Sequence, residues 1–347
     1  MIFGGKNRLI GLDLGSSEIK AIEVQDLGSA GLAVSRFAKA RIRSEDEKAI
    51  AVRELVRQVG FKTRRVTTSI SGRSVIVRYI TMPQMNMDEL RNAIRLEADK
   101  YIPFEVDEVQ MDCAILEPLP ASAGGQPEMK VLLVAVKRSI IEDHVAMLTD
   151  AGLQPVAVDV DSFAIGNAFE VRSRIAGKVA PNDRVLALID IGASKTNITI
   201  MRGQVNCFSR EVYSAGNEFT EAIARKLGLD PSDAEQTKCM PADRGAEVEA
   251  ATKGPIDDLC NEIQLSFDYF EHQFDKGVDE VYLSGGSARL PGLVQTLQSK
   301  FEREVNQWNP LDGIEIRADG RIDTAELQRS ASQLAVPLGL AARVRKW

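Results

Sequence analysis

Histidine and tryptophan are nearly absent from this chain of 347 residues, with two of each, and aromatic residues amount to 5%. Two histidines, His144 and His272, are too few for a histidine-rich metal centre and leave a Ser-His-Asp triad without support. The four cysteines, Cys113, Cys207, Cys239 and Cys260, are scattered with no Cys-x-x-Cys pair. That removes a zinc site or a disulfide framework and leaves reduced, mostly buried thiols. Long apolar runs are missing as well: nothing approaches the roughly 18 consecutive apolar residues of a spanning helix. The opening MIFGGKNRLIGLDLG has neither the apolar core nor the cleavage site of a secretory signal, so a cytoplasmic location is expected. Positive charge is in deficit, with 43 Lys and Arg against 50 Asp and Glu and a net charge of −7. A general nucleic-acid-binding surface is therefore not expected.

What is present is the makings of a real core: 44% of the residues are apolar and 27% charged. The length predicts about two domains. Two segments share one layout. RLIGLDLGSSEIKAIEVQ (8–25) and RVLALIDIGASKTNITIM (184–201) each read as an apolar strand, an Asp-x-Gly turn with small hydroxyl residues, and an alternating return strand. Aligned on Asp13 and Asp190 they lie 177 residues apart, about half the chain, which predicts two similarly built lobes. Between them the pattern predicts a helix over 45–60, strands over 66–81 broken at Gly72, and a helix from Asn86 with Leu90, Ile94, Ala98 and Tyr101 on one stripe. A strand over 106–117, a loop over 118–127, a strand over 131–136 and a helix over 139–151 closed by Gly152 complete a small inserted unit. After the second turn come a helix over 217–227, a polar helix pair near 231–250 and a long helix expected from about 255 to 275. The strand EVYLSGG (280–286), a helix starting near Pro291 and a final helix over about 324–345 follow. Strands interleaved with helices make the class α/β.

The paired turns carry the chemistry. A glycine hairpin turn exposes successive backbone N–H groups, which can cradle phosphate oxygens, and the hydroxyls of Ser16, Ser17 and Ser194 add donors. Asp13 and Asp190 at the strand ends can hold Mg²⁺ through water, as suits a cation that keeps its hydration shell. Lys20 can set positive charge against the phosphates. A third element, Ser284-Gly285-Gly286-Ser287, follows an apolar strand, and its glycines allow backbone to approach an adenine or ribose.

In this order the three elements resemble the actin-like ATPase superfamily over nearly the whole chain. Within it the sequence is most similar to the PilM family of type IV pilus assembly proteins, relatives of FtsA. IGLDLGSSEIKAIEV, MPQMNMDELRNAIRLEADKYIPFEVDEVQMD, AGLQPVAVDVDSFAIGNAF, DIGASKTNITI, VYLSGGSARLPGL and PLGLAARV carry that likeness. The resemblance implies an actin-like, ribonuclease H-like two-lobe fold with a small subdomain 1C in place of actin's 1B. Subdomain 1A would comprise 1–82, 156–186 and 324–347, and 1C would comprise 83–155. Subdomain 2A would comprise 187–222 and 279–323, and 2B 223–278. Matching the family's motifs, Asp13, Gly15, Ser16, Ser17 and Lys20 would form the first phosphate motif. Asp190, Gly192, Ala193, Ser194 and Thr196 would form the second, with Gly216 and Asn217 near the phosphates and ribose. Glu235 and Lys238 would contact the nucleoside, although a helix pair at this spacing also suits a solvated face. Gly285, Gly286, Ser287 and Arg289 would form the adenosine motif. The implied cofactors are ATP and Mg²⁺.

The implied partner is the N-terminal segment of a PilN-type inner-membrane protein with its PilO and PilP associates, taken up in a groove flanked by 1A and 1C. Met85, Leu90, Ile94, Tyr101, Pro103 and Phe104 are candidates for it, and equally for the core of 1C. Membrane attachment would then be indirect, and the short tail Arg343-Val344-Arg345-Lys346-Trp347 is not expected to insert. For hydrolysis a group must position or deprotonate water, and Asp190, Asp159 and Asp161 are the candidates, with slow turnover expected. Two other classes stay open: a self-polymerising protein like FtsA, and a sugar or acetate kinase of the same superfamily, many of which carry a Cys/His zinc cluster that this chain lacks.

Overall fold

A computed structural model describes residues 7–119, 126–177, 179–317 and 322–345. The chain divides into two compact units, one formed by residues 1–69 and 151–347 and the other by Ile70–Asp150.

The larger unit is built on two sheets of the same plan. In the first, β1 (Arg8–Leu14), β2 (Glu18–Asp26) and β3 (Leu32–Arg41) run antiparallel. Helix α1 (Lys48–Val59) buries the stripe Val52, Leu55 and Val56 and stops at Gly60, which takes the left-handed conformation. Strand β4 (Arg65–Ile70) then returns parallel to β1. The inserted unit follows in the chain and consists of β5 (Val75–Pro83), α2 (Met87–Glu97), β6 (Val109–Leu119), β7 (Glu128–Lys137) and α3 (Arg138–Asp150). Its sheet has the order β5-β7-β6, all antiparallel. Helix α2 starts on a capping box in which the Asn86 side chain accepts from the Asp88 and Glu89 amides while Glu89 accepts from the Asn86 amide. Strand β5 pairs with β7 along its whole length, so residues 70–82 group with this unit and not with the lobe that precedes it. Residues 151–155 group with the larger unit, where the Gln154 amide donates to the Arg64 carbonyl.

Back in the larger unit, β8 (Gln154–Val160) completes a sheet whose final member comes from far down the chain, and α4 (Asp161–Ile175) follows at once. The second sheet opens with β9 (Val185–Ile191), β10 (Thr196–Arg202) and β11 (Val205–Val212), antiparallel in turn. Helices α5 (Gly216–Leu227), α6 (Pro231–Cys239) and α7 (Gly245–Phe274) come next, then β12 (Glu280–Ser284), parallel to β9. Helix α8 (Leu293–Phe301) leads to β13 (Glu304–Gln307), parallel to β12, and β14 (Glu315–Ile316) crosses back to pair with β3. Helices α9 (Thr324–Arg329) and α10 (Ala335–Ala342) end the described chain. The sheet orders are β14-β3-β2-β1-β4-β8 and β11-β10-β9-β12-β13. Each sheet therefore has an antiparallel three-strand meander whose first strand is flanked by a parallel crossover strand, as the sequence repeat predicts.

Every residue of β9, VLALIDI, is buried because both faces of its sheet are covered. On one face lie α4 and α10, sharing an apolar core with Ile22 and Val24 of the first sheet and Leu186 and Leu188 of the second. On the other face Phe219, Ile263, Phe267 and Phe270 pack from α5 and α7. Helix α10 is held at contact distance on two sides. A Cβ on Gly11 would lie 1.8 Å from the Pro337 carbonyl oxygen, and one on Gly339 would lie 1.7 Å from that of Ala164.

Two helices differ from the sequence reading. The long helix begins at Gly245 and runs through Pro255, whereas the sequence places its start near 255. Proline there removes one intrahelical bond, yet Val248 and Thr252 are fully buried and hold the preceding turns on the core. The single final helix is instead α9, a 3-10 turn at Ala331–Gln333 and α10. The break has a use, since the Ser332 carbonyl accepts from the Gly285 amide. At the chain end Arg343 pairs with Asp159 and Arg345 with Asp26, while Lys346 and Trp347 lie outside the described residues. Among the described residues no helix is long and apolar enough to cross a membrane.

Candidate nucleotide-type site on the paired turns

The two Asp-x-Gly turns match in register. Asp13 faces Lys20 and Leu14 faces Ile19 across the first hairpin; Asp190 faces Asn197 and Ile191 faces Thr196 across the second. In both, the glycine lies tight against backbone, more so in the first turn than in the second. A Cβ on Gly15 would lie 2.6 Å from the Glu18 carbonyl oxygen, and one on Gly192 would lie 3.0 Å from that of Lys195. The amides of Ser16, Ser17, Ala193 and Ser194 donate to no other described residue. Both turns thus offer free N–H groups beside small side chains, the donor set of an anion cradle.

Charge is arranged around them. Lys20 Nζ lies 2.7 Å from Asp13 Oδ2. Burial is the largest single influence and works against the Lys20 ammonium, but Asp13, with Glu18 and Asp190 adding to it, outweighs burial and holds the group above its ordinary value. Asp190 sits at the buried end of β9 beside β12, where Ser284 Oγ donates to it at 2.7 Å. Burial pushes its carboxyl up to about 6, against the Ser284 hydrogen bond, and the Asp13 carboxylate adds to the rise. Asp13, Lys20 and Asp190 are therefore within electrostatic reach of one another. The other two carboxylates considered for water activation are committed elsewhere. Asp159 is paired with Arg343 at 2.6 Å. Asp161 lies 2.7 Å from Lys195, whose ammonium also meets Glu211 at 3.0 Å.

Gly216 joins the second turn to the remaining motifs. Its amide donates to the Gly192 carbonyl, and the Asn217 amide donates to that of Ala193 at 2.7 Å. A Cβ on Gly216 would lie 2.6 Å from Ser287 Oγ, 2.9 Å from the Gly192 oxygen and 3.3 Å from Lys238 Nζ. Lys238 donates to the Gly216 carbonyl at 3.0 Å and to Thr220 Oγ1 at 2.8 Å, and pairs with Glu235 at 2.6 Å. Lys238 is thus folded inward against α5, with the Glu235 side chain half-exposed beside it. Burial is the largest single influence on Glu235 and raises its carboxyl, but the Lys238 charge and hydrogen bond, joined by those of Thr220 and Cys239, outweigh it and hold the group below the ordinary range. Gly285, at φ 94°, abuts the end of β9, where a Cβ would lie 2.3 Å from the Ile191 carbonyl oxygen. Arg289 is exposed, and its side chain bonds to no other described residue.

Of the residues expected here, the structure brings together Asp13, Gly15, Lys20, Asp190, Gly192, Gly216, Lys238, Gly285 and Ser287. Thr196 stands apart: it is fully buried and its hydroxyl donates to the Ser214 carbonyl. Sequence reasoning missed the Asp190 bond from Ser284, the bracing of Glu235 and Lys238 by Thr220, and Lys195. It also passed over Asn197, although the 177-residue offset maps Lys20 onto it. Leu90 and Ile94, candidates for a partner groove, are corrected to core: they are 0% and 2% exposed within the inserted unit's own cluster and cannot meet a partner. Met85, Tyr101 and Phe104 are half-buried and Pro103 is exposed. Beside them lies an open recess of about 490 Å³ lined by Ile102, Pro103 and Phe104 with Asp99, Glu105 and Lys137, whose ammonium sits 4.9 Å from the Phe104 ring centre.

Residues 11–345 match the family described as type IV pilus assembly protein PilM. The chain belongs to that family. A PilM from a PilM–PilN type IV pilus biogenesis complex is 30% identical, with a TM-score of 0.83 over 97% of this chain and 98% of that one. The ethanolamine utilization protein EutJ of Carboxydothermus hydrogenoformans, 18% identical with a TM-score of 0.54 over 96% and 89% of the two chains, shares the fold. The two lobes are those of the actin-like ATPases, and the PilM family places the chain in type IV pilus assembly as an actin-like scaffold.

Proposed function

We propose that this PilM-family chain is a Mg·ATP-binding scaffold recruited to the inner membrane by the N-terminal segment of a PilN-type protein. The carrying observation is the pair of turns whose amides are free and whose glycines lie tight against backbone, set beside Asp13, Lys20 and Asp190. The residues fit the ligand: amides for phosphate oxygens, two carboxylates for a hydrated cation, and Gly216, Gly285 and Ser287 where a nucleoside needs a small backbone. Bound there, Mg·ATP supplies a phosphoanhydride open to attack by water. Asp190, with a carboxyl near 6, is mostly ionised at neutral pH and is the buried acceptor able to take a proton at its carboxylate. Asp159 and Asp161 are spent on ion pairs, which supports slow turnover.

The exposed edge of the inserted unit at Met85, Tyr101, Pro103 and Phe104 is the proposed seat of the partner segment, with the known PilM–PilN complex of a relative as support. Calorimetric titration of the cognate PilN-type peptide into protein saturated with Mg·ATP tests the reading. Stoichiometric binding that falls at least about tenfold in Phe104→Ala is expected. No heat with the parent protein would refute the scaffold reading and turn attention to filament sedimentation and to acceptor-dependent ADP formation.

A further inference from the structure

We propose that Lys20 is the resident counter-ion of the paired-turn site and that a divalent cation enters by exchange, taking the Asp13 carboxylate from the Lys20 ammonium. The inference rests on the reading of the site as one for a metal-bound nucleotide. Its basis is an asymmetry between two otherwise matched turns. Across the first hairpin Asp13 faces Lys20; across the second, in the same register, Asp190 faces the neutral Asn197. Asn197 is 2% exposed and its Oδ1 has no hydrogen-bond partner. The second turn therefore contains a carboxylate without a cation, eased by the Ser284 hydroxyl. Two carboxylates share one ammonium, and these three groups carry a net charge of −1 when ionised.

The Lys20 and Asp13 side chains are only 14% and 13% exposed, so their pairing is no loose surface contact. A desolvated carboxylate needs an opposite charge, and Lys20 supplies it at 2.7 Å. A hydrated divalent cation approaching Asp13 and Asp190 meets that ammonium as a like charge at short range, so occupation of one disfavours the other. The exchange has somewhere to put the lysine. Nζ lies 3.6 Å from where a Cβ on Gly15 would stand, beside the turn that bears the free Ser16 and Ser17 amides. Freed from Asp13, the four-carbon stem can present its charge to an anion on that turn. Arrival of the cation and presentation of the ammonium are then one event.

Mn²⁺ binding to the nucleotide-free full-length protein, followed by electron paramagnetic resonance of the free ion, tests this without any activity assay. Lys20→Met is expected to tighten Mn²⁺ binding by about tenfold or more, and Lys20→Arg, which keeps an exchangeable cation, to bind like the parent. In an Asp13→Asn background the Lys20→Met effect is expected to shrink to about twofold or less, because no pair is left to break. Unchanged or weaker binding in a Lys20→Met protein that melts as the parent does would overturn the exchange. Equal tightening in both backgrounds would overturn it too, since that is a general field effect. If Mn²⁺ binds no variant, with or without ATP, the nucleotide-site reading falls together with this inference.

Discussion

Asp190 shows what one residue reveals about the site. Its carboxyl sits at about 6 chiefly because burial disfavours the charged form, and a carboxyl so shifted beside the paired turns marks a candidate functional group. The sign of the consequence follows from linkage. In the unfolded chain the group ionises near the ordinary carboxylate value, so between that value and 6 the folded state holds a proton the unfolded state has lost. Stability therefore falls as pH rises through this window and stays low above it. At pH 8, Asp190→Asn, which still offers Ser284 an acceptor, is expected to be more stable than the parent by up to about 3 kcal/mol. The gain should decline through pH 6 and vanish near pH 4. Thermal unfolding across that range measures it, and a gain that is the same at pH 4 and pH 8 would refute the cause given. Arg343 makes a contrasting case. Asp159 is buried against it, and Arg343→Ala strands that carboxylate, at an expected cost of about 1–3 kcal/mol given that the arginine is half exposed. Asp159→Asn in the same chain should recover most of the loss in a denaturant titration.

At the scale of elements, what was legible in the sequence is what local pattern dictates. Apolar strands joined by Asp-x-Gly turns, the apolar stripe of the helix that starts at Asn86, and the helix closed by Gly152 could be read in windows of a dozen residues. What could not be read depends on partners far away. The long helix was expected to start near 255, but burial of Val248 and Thr252 carries α7 back through Pro255 to Gly245. The apolar stripe of Leu90 and Ile94 fits a core and a docking face equally well in sequence, and only the fold shows it covered. Lys195 gave no local signal, since the carboxylates that hold it are 34 and 16 residues away. Helix α10 is the sharpest case: Gly11 and Gly339 look like ordinary small residues, yet each marks a backbone contact that excludes a methyl group. Gly339→Ala is accordingly expected to destabilise the protein by roughly 3 kcal/mol or more. Gly245→Ala, at the open start of α7 with nothing within 4 Å, should be neutral or slightly stabilising. Equal melting temperatures for the two variants would show that α10 can shift to make room.

At the scale of the whole molecule, the division into two units separates the two things the chain is proposed to do. The nucleotide-type residues belong to the larger unit and the partner-facing residues to Ile70–Asp150. The inserted unit has its own core, with Leu90, Ile94, Val131 and Leu133 all at most 2% exposed, while the second-sheet core gathers Ile189, Ile263 and Phe267. No residue is shared between those two clusters. A cavity in one core should therefore weaken one function first. Leu133→Ala is expected to cost about 2–5 kcal/mol of the inserted unit's stability. In calorimetry it should lower or split off one transition, and it should weaken peptide binding at temperatures where Mg·ATP titration is unchanged. Ile263→Ala should do the reverse, reducing nucleotide binding while the peptide isotherm holds. If either variant shifts a single transition and depresses both titrations in proportion, the units unfold as one body and the separation of functions along the chain is lost. If the two respond independently, the insertion is a self-supporting module carried by an actin-like frame, and its partner specificity can be altered without touching the paired turns.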